Sequence, residues 1–174
     1  MVKTILLTGA ALAAAAGVVC AQPAAVSASI KADYRSVRDF VVRSAEKMPA
    51  DNYGFKPTAG IRSFGQQIAH IADDQYNLCA PARGETRRAA YTAIEDSLHT
   101  KAELVPALRQ AFVYCDAAYD ALTDTNAGDP TSTKTGRTKF GMLNWNVWHT
   151  WEHYGNIVVY LRLKGLVPPS SEPR

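Results

Sequence analysis

FGMLNWNVWHTWEHYGNIVVYLRLKG, residues 140–165, decides the fold. Asn146, His149, His153, Asn156 and Tyr160 recur three or four positions apart, which places them on one face of an α-helix running from about Phe140 to Lys164. Gly165 marks the end of that helix, and Pro168-Pro169 beyond it cannot continue one. Most of the rest of the stretch is apolar or aromatic, with Asn144, Thr150, Glu152, Arg162 and Lys164 as the polar exceptions.

Working outward, three more helical patterns appear and no strand pattern competes with them. Ile30, Tyr34, Val37, Val41 and Ala45 mark a first helix from about Ser27 to Met48, stopped by Pro49. A turn-rich stretch, PADNYGFKPTAG, leads to a second helix that Ser63 can cap, with Phe64, Ile68, Ile71, Gln75 and Leu78 in a stripe and an end near Pro81 and Gly84. A third helix spans about Thr100 to Thr123, with Leu104, Leu108, Ala111, Cys115, Ala118 and Leu122 on its core face. The polar loop DTNAGDPTSTKTGRTK separates it from the last helix. The expected fold is therefore an all-α four-helix bundle. The linker from Arg83 to about Leu98 exceeds the usual length for a helix hairpin and is expected as a solvated crossover carrying Arg83, Arg87 and Arg88.

The first residues, MVKTILLTGAALAAAAGVVCAQ, join a charge at Lys3 to an apolar Ala-rich run and small residues around Cys20-Ala21. That is the layout of a secretory signal peptide spanning residues 1–21, with residues 22–174 as one mature domain and a periplasmic or secreted location. The net charge is +3 with Lys3 and +2 without it, and the basic residues are not clustered as nucleic-acid binding would want. No second apolar run approaches the length of a membrane span. Copies of a helical bundle can pair through helix faces, so a homodimer is compatible with the chain, although no surplus apolar stripe demands one.

Two cysteines stay in the mature chain, Cys79 and Cys115, and an oxidising compartment allows either a bridge or two buried thiols. A bridge would fix topology. Cys79 follows Ser63 by 16 positions and Cys115 follows Thr100 by 15, so the sulfurs stand level only if the second and third helices run parallel. The order would then be up-down-down-up, with a long crossover between helices two and three.

The chemistry is carried by histidines. His149 and His153, four positions apart, can share one divalent ion, because neutral imidazole is a good donor to zinc and similar metals. His70, on a polar stripe with Ser63, Gln67, Asp74 and Asn77, is the candidate third ligand. Two polar stripes in an apolar bundle expect a shared cavity. The plainer alternative is that the pair is solvated or satisfied in the core, as most such pairs are. His99 precedes a helix in a polar stretch and is expected in solvent. His149-Thr150-Trp151-Glu152-His153 also fits the inverted zinc-protease pattern, but only Glu172 is acidic downstream, which argues against a protease. Glu152, Asp74 and Tyr160 are the candidates for acid–base or orienting roles.

RSFGQQIAHIADDQ around His70, VYCDAAYDAL in the third helix and WHTWEHYGNIVVYLRLKGLVPPSS at the end resemble the DinB family of metal-binding bundles, and the resemblance covers about residues 30–171. It is nearest to the exported branch of that family, which tends to carry the two cysteines. The resemblance implies a four-helix bundle in up-down-down-up order, with His70, His149 and His153 binding zinc or nickel and water filling the remaining positions. Histidine ligation alone would also permit iron or copper. Three histidines with an open position is the layout of a catalytic metal site. The resemblance therefore implies a metal-dependent enzyme on a small-molecule substrate, a hydrolase or a thiol transferase, with a non-catalytic metal-binding or small-ligand-binding bundle as the alternative. Trp148 and Trp151 depart from the smaller or polar residues common in related exported chains, and are expected to narrow the mouth of the site.

Overall fold

The structure, a computed structural model, describes residues 25–86, 92–133 and 136–173. The signal-peptide reading of residues 1–21 and the basic residues Arg87 and Arg88 lie outside them. Five α-helices are present among the described residues: α1 (Val26–Lys47), α2 (Phe64–Ala82), α3 (Ala93–Ser97), α4 (Lys101–Ala121) and α5 (Lys139–Leu163). The long helices α1, α2, α4 and α5 form the bundle.

Local chemistry sets the boundaries. Ser63 Oγ accepts from the Gln66 backbone N–H while the Ser63 N–H donates to Gln66 Oε1, a reciprocal capping box at the start of α2. Thr100 and Glu103 repeat the device on α4, and Thr138 caps α5 through the Gly141 N–H. Two helices end on glycines with positive φ, Gly84 after α2 and Gly165 after α5. In each, the next two N–H groups turn back onto the last turn: Gly84 to Pro81 and Glu85 to Ala80, Gly165 to Arg162 and Leu166 to Leu161. A side chain would strain that left-handed position, which is why glycine stands there.

Paired contacts give the helix directions. Tyr34 meets Asp116 and Phe112 while Glu46 meets Arg109, so α1 and α4 run antiparallel. Cys79 is bridged to Cys115 with Cα atoms 5.4 Å apart, and Gly65 packs near Leu104, so α2 and α4 run parallel. His153 bonds Gln67 and Asn146 bonds Gln75, which makes α2 and α5 antiparallel. Phe40 stacks on Tyr154 while Lys47 reaches Val167 beyond α5, which makes α1 and α5 parallel. Along the chain the four long helices therefore run up, down, down, up, with α3 inside the crossover.

Two expectations change here. Residues 83–98 are not simply a solvated loop: α3 forms within them, and its N-terminal Ile94 and Glu95 N–H groups donate to the carboxylate of Asp73 on α2. Five residues are too few to show a periodic pattern, and a cap supplied from another helix leaves no local sequence signal. Arg83 lies on the face of the Tyr114 ring, 4.4 Å from its centroid, and bonds Glu85. The second change concerns α2, of which 17 of 19 residues are buried. Its polar stripe of Ser63, Gln67, His70, Asp74 and Asn77, expected from the sequence beside rather than within the apolar stripe, is buried together with it, because α3, α4 and α5 pack around the helix. No helix among the described residues is long and apolar enough to cross a membrane.

Candidate metal centre

The site sits where α2 and α5 cross in opposite directions. His70 and Asp74 occupy successive turns of α2, and His149 and His153 occupy successive turns of α5. Antiparallel packing sets the two pairs face to face. One ligand atom from each of the four residues lies within 4.8 Å of every other. Asp74 Oδ2 is 3.0 Å from His70 Nε2 and 2.9 Å from His149 Nε2, and His149 Nε2 is 3.2 Å from His153 Nε2. Donors around a tetrahedral zinc ion stand about 3.3 Å apart when each bond is close to 2.0–2.1 Å. The cluster therefore has the donor types and nearly the spacing of a first coordination sphere, and it can hold a metal ion.

The far sides of two of the rings support the same orientation. His153 Nδ1 lies 3.0 Å from Gln67 Oε1, and an amide oxygen can only accept, so the proton belongs on Nδ1 and the Nε2 lone pair faces the cluster. His149 Nδ1 lies 3.4 Å from Glu152 Oε2. His70 Nδ1 lies 3.7 Å from Glu95 Oε2 and has no hydrogen-bond partner.

Electrostatics separate the three rings. Burial, reinforced by the neighbouring His70 and His149, pushes the His153 imidazole down to about 4. His70 is also lowered, chiefly by burial, against an opposing pull from Asp74. His149 is raised, first by its hydrogen bond to Asp74. Near neutral pH, two rings are thus neutral donors and the third leans on a carboxylate that is itself 2 % exposed. Asp74 Oδ2 is contested by two imidazoles, and His149 Nε2 faces both Asp74 and His153. A single cation at the centre would face all of these atoms at once.

The other expected residues divide. Asp74 stands in the ligand cluster rather than beside it. Glu152 is well exposed and faces the outer nitrogen of His149, which suits an orienting role. Tyr160 stands outside the ligand cluster but touches its support: its hydroxyl donates to the Arg62 carbonyl and meets the side chain of Gln67, the partner of His153, and burial raises its pKa. Of the two tryptophans expected at the mouth, Trp148 does lie against His149, with ring centroids 5.7 Å apart, and is 47 % exposed. Trp151 does not. It packs edge-on to Phe40 and Tyr154 at the α1–α5 seam, because α1 passes that side of α5. His99 is exposed at the start of α4, at the rim of a cleft shared with Tyr53 and Ser63.

Sequence reasoning missed roles for four residues. Gln67 was in the polar stripe, three positions before His70, and that spacing was the available signal. Arg62, Asp73 and Glu95 had none. They meet through the crossover, where Arg62 Nε and Nη2 clamp Glu95 at 2.8 and 3.3 Å.

Comparison with known proteins agrees with this architecture. No curated protein matches the sequence. A DinB-like protein of Bacillus cereus ATCC 10987 superposes with a TM-score of 0.66 at 13 % identity, over 80 % of this chain and 93 % of that one. A DinB-like protein of Bacillus subtilis gives 0.64 at 20 % identity, over 84 % and 99 %. A mycothiol-dependent maleylpyruvate isomerase gives 0.62 at 16 % identity, over 75 % of this chain and 60 % of that one. Each likeness is one of fold. The sequence itself matches the family model of the DinB superfamily over residues 33–157, most of the bundle, and the chain belongs to that superfamily.

Proposed function

We propose that this protein holds one divalent metal ion, zinc foremost with nickel or iron as alternatives, through Nε2 of His70, His149 and His153, and that it is a metal-dependent enzyme acting on a small molecule. The observation that carries the proposal is the convergence of three ring nitrogens and Asp74 Oδ2 within 4.8 Å on a buried seam. An ion in such a site supplies Lewis acidity and lowers the pKa of a bound water or thiol. The chain's own residues then do the rest. Gln67 and Glu152 fix two rings by their outer nitrogens, and Trp148 shields His149 on one side.

The two candidate reactions are thiol transfer and hydrolysis. The fold likeness to an enzyme named for its mycothiol dependence supports the first, at an identity that speaks only for architecture. Export to an oxidising compartment belongs to the same proposal, supported by the layout of residues 1–21 and by the bridge between the fully buried Cys79 and Cys115.

A second reading has its own observation. With Asp74 as fourth donor the protein would close the coordination sphere, and a sphere closed by four protein ligands is the mark of a structural ion. Asp74→Ala separates the two. Elemental analysis of the purified native protein should give one metal per chain. If Asp74→Ala keeps that metal and loses turnover with a low-molecular-weight thiol or an ester substrate, the site is catalytic. If it loses the metal and melts at a lower temperature, the ion is structural. Native protein carrying no stoichiometric metal would remove both readings.

A further inference from the structure

His70 Nδ1 is the ring nitrogen of the cluster that is buried without a hydrogen-bond partner. If its Nε2 is to offer a lone pair to an ion, its proton must sit on Nδ1, and a buried N–H needs an acceptor. The acceptor facing it is Glu95 Oε2 at 3.7 Å, and an approach of about 0.7 Å would make a normal hydrogen bond.

Glu95 is not there by chance of a loose side chain. Its carboxylate is only 13 % exposed and is gripped by the Arg62 guanidinium through both oxygens. Its backbone N–H, with that of Ile94, donates to Asp73, which is 0 % exposed and sits one position before Asp74 on α2. The same turn of α2 therefore carries one carboxylate into the ligand cluster and another outward to hold the crossover. We propose that Glu95 is the positioning residue of His70, fixing its tautomer and ring angle for metal binding, and that Asp73 and Arg62 exist to aim it. The crossover helix α3 is on this account a part of the metal centre, although it contributes no ligand. The inference rests on the metal reading above.

The test is zinc affinity of the chelated, full-length protein, measured by competition with a chromogenic chelator, alongside the melting temperature of the metal-free form. Glu95→Ala and Glu95→Gln should weaken zinc binding on the order of 10- to 100-fold, the usual effect of losing a partner behind a metal-bound histidine. The metal-free melting temperature should be unchanged in Glu95→Gln. Asp73→Asn should weaken binding as well, and Asp96→Ala, on the exposed side of the same helix, should match the unaltered protein. Stoichiometric zinc in the unaltered protein with both Glu95 variants within about twofold of it would overturn the inference and leave the metal reading standing. So would an affinity loss in both Glu95 variants that simply follows a fall in metal-free melting temperature. If the unaltered protein takes up no zinc, nickel or iron, the metal reading itself fails.

Discussion

Along the seam between α1 and α4, the Tyr34 hydroxyl lies 2.9 Å from Asp116 Oδ1 and 3.0 Å from the Phe112 carbonyl, and Arg38 Nη1 reaches both Asp116 oxygens at 2.7 and 2.8 Å. Tyr34 also stacks on Tyr119, with centroids 3.8 Å apart. Along the seam between α2 and α5 the polar groups are more deeply buried, with the His70 and Asp74 side chains 9 % and 3 % exposed against 35 % and 30 % for Arg38 and Asp116; there two imidazoles share one oxygen of Asp74, two ring nitrogens face each other at 3.2 Å, and a third is left without a partner. The first seam is satisfied by its own residues. The second leaves His70 Nδ1 without a hydrogen-bond partner and gathers four possible metal donors in one place. Buried polar groups of the first kind hold a fold together, whereas groups of the second kind cost stability and point to function.

Three experiments break or sharpen that contrast. The largest effect on stability should come from the bridge that ties the two halves, α2 to α4. Replacing Cys79 and Cys115 by serine opens a loop with a sequence separation of 36, worth roughly 4 kcal/mol in the chain-entropy model and readable by urea unfolding. Metal content should survive, because neither sulfur belongs to the ligand cluster; a parallel loss of metal would mean that the site depends on the bridge for its geometry.

A smaller effect sets the seams directly against each other. Tyr34→Phe removes a satisfied hydroxyl and should cost about 1 kcal/mol with metal affinity unchanged. His153→Leu should abolish metal retention and, although it gives up the Nδ1 bond to Gln67 and the contact with His149, should cost the chelated protein less than Tyr34→Phe does, because burying leucine in place of an imidazole offsets that loss. Equal or greater destabilisation by His153→Leu would show that the histidine seam is as well satisfied as its counterpart.

The gentlest perturbation is pH. His153 falls from 6.5 to about 4 on folding, so the folded metal-free protein binds fewer protons there than the unfolded chain. That contribution is fully present above pH 6.5 and is lost as the pH falls toward 4; His70, also lowered, acts in the same direction. His149, raised, acts oppositely: its contribution is present below 6.5 and fades as the pH rises through its folded value. The urea midpoint of the chelated protein should therefore drop on acidification across that window, and His153→Leu should flatten the slope. An unchanged slope would mean that His153 is not held neutral by burial.

How much of this was legible in the chain follows from the range over which each signal acts. The long helices were readable from apolar spacing, and their ends from Ser63, Thr100, Gly84 and Gly165, because caps and turns are settled within a few positions. His149 and His153 were readable as a pair for the same reason. α3 was not, because five residues carry too little period and their cap arrives from Asp73, some twenty positions upstream. Trp151 could be placed on α5 but not assigned a neighbour, since Phe40, the residue that receives it, lies in another helix.

By itself the sequence determined which residues share a helix face, and so put His70 with Asp74 and His149 with His153, because a helix repeats every 3.6 residues whatever surrounds it. Only the tertiary structure decided that those faces meet, that Nε2 rather than Nδ1 points inward, that Asp74 stands among the three histidines while Tyr160 bonds the Arg62 carbonyl, and that Glu95 stands behind His70. Those outcomes depend on how helices pair and in which direction they run. That is fixed by the packing of the whole core, a sum over contacts distant in the chain that no local spacing records.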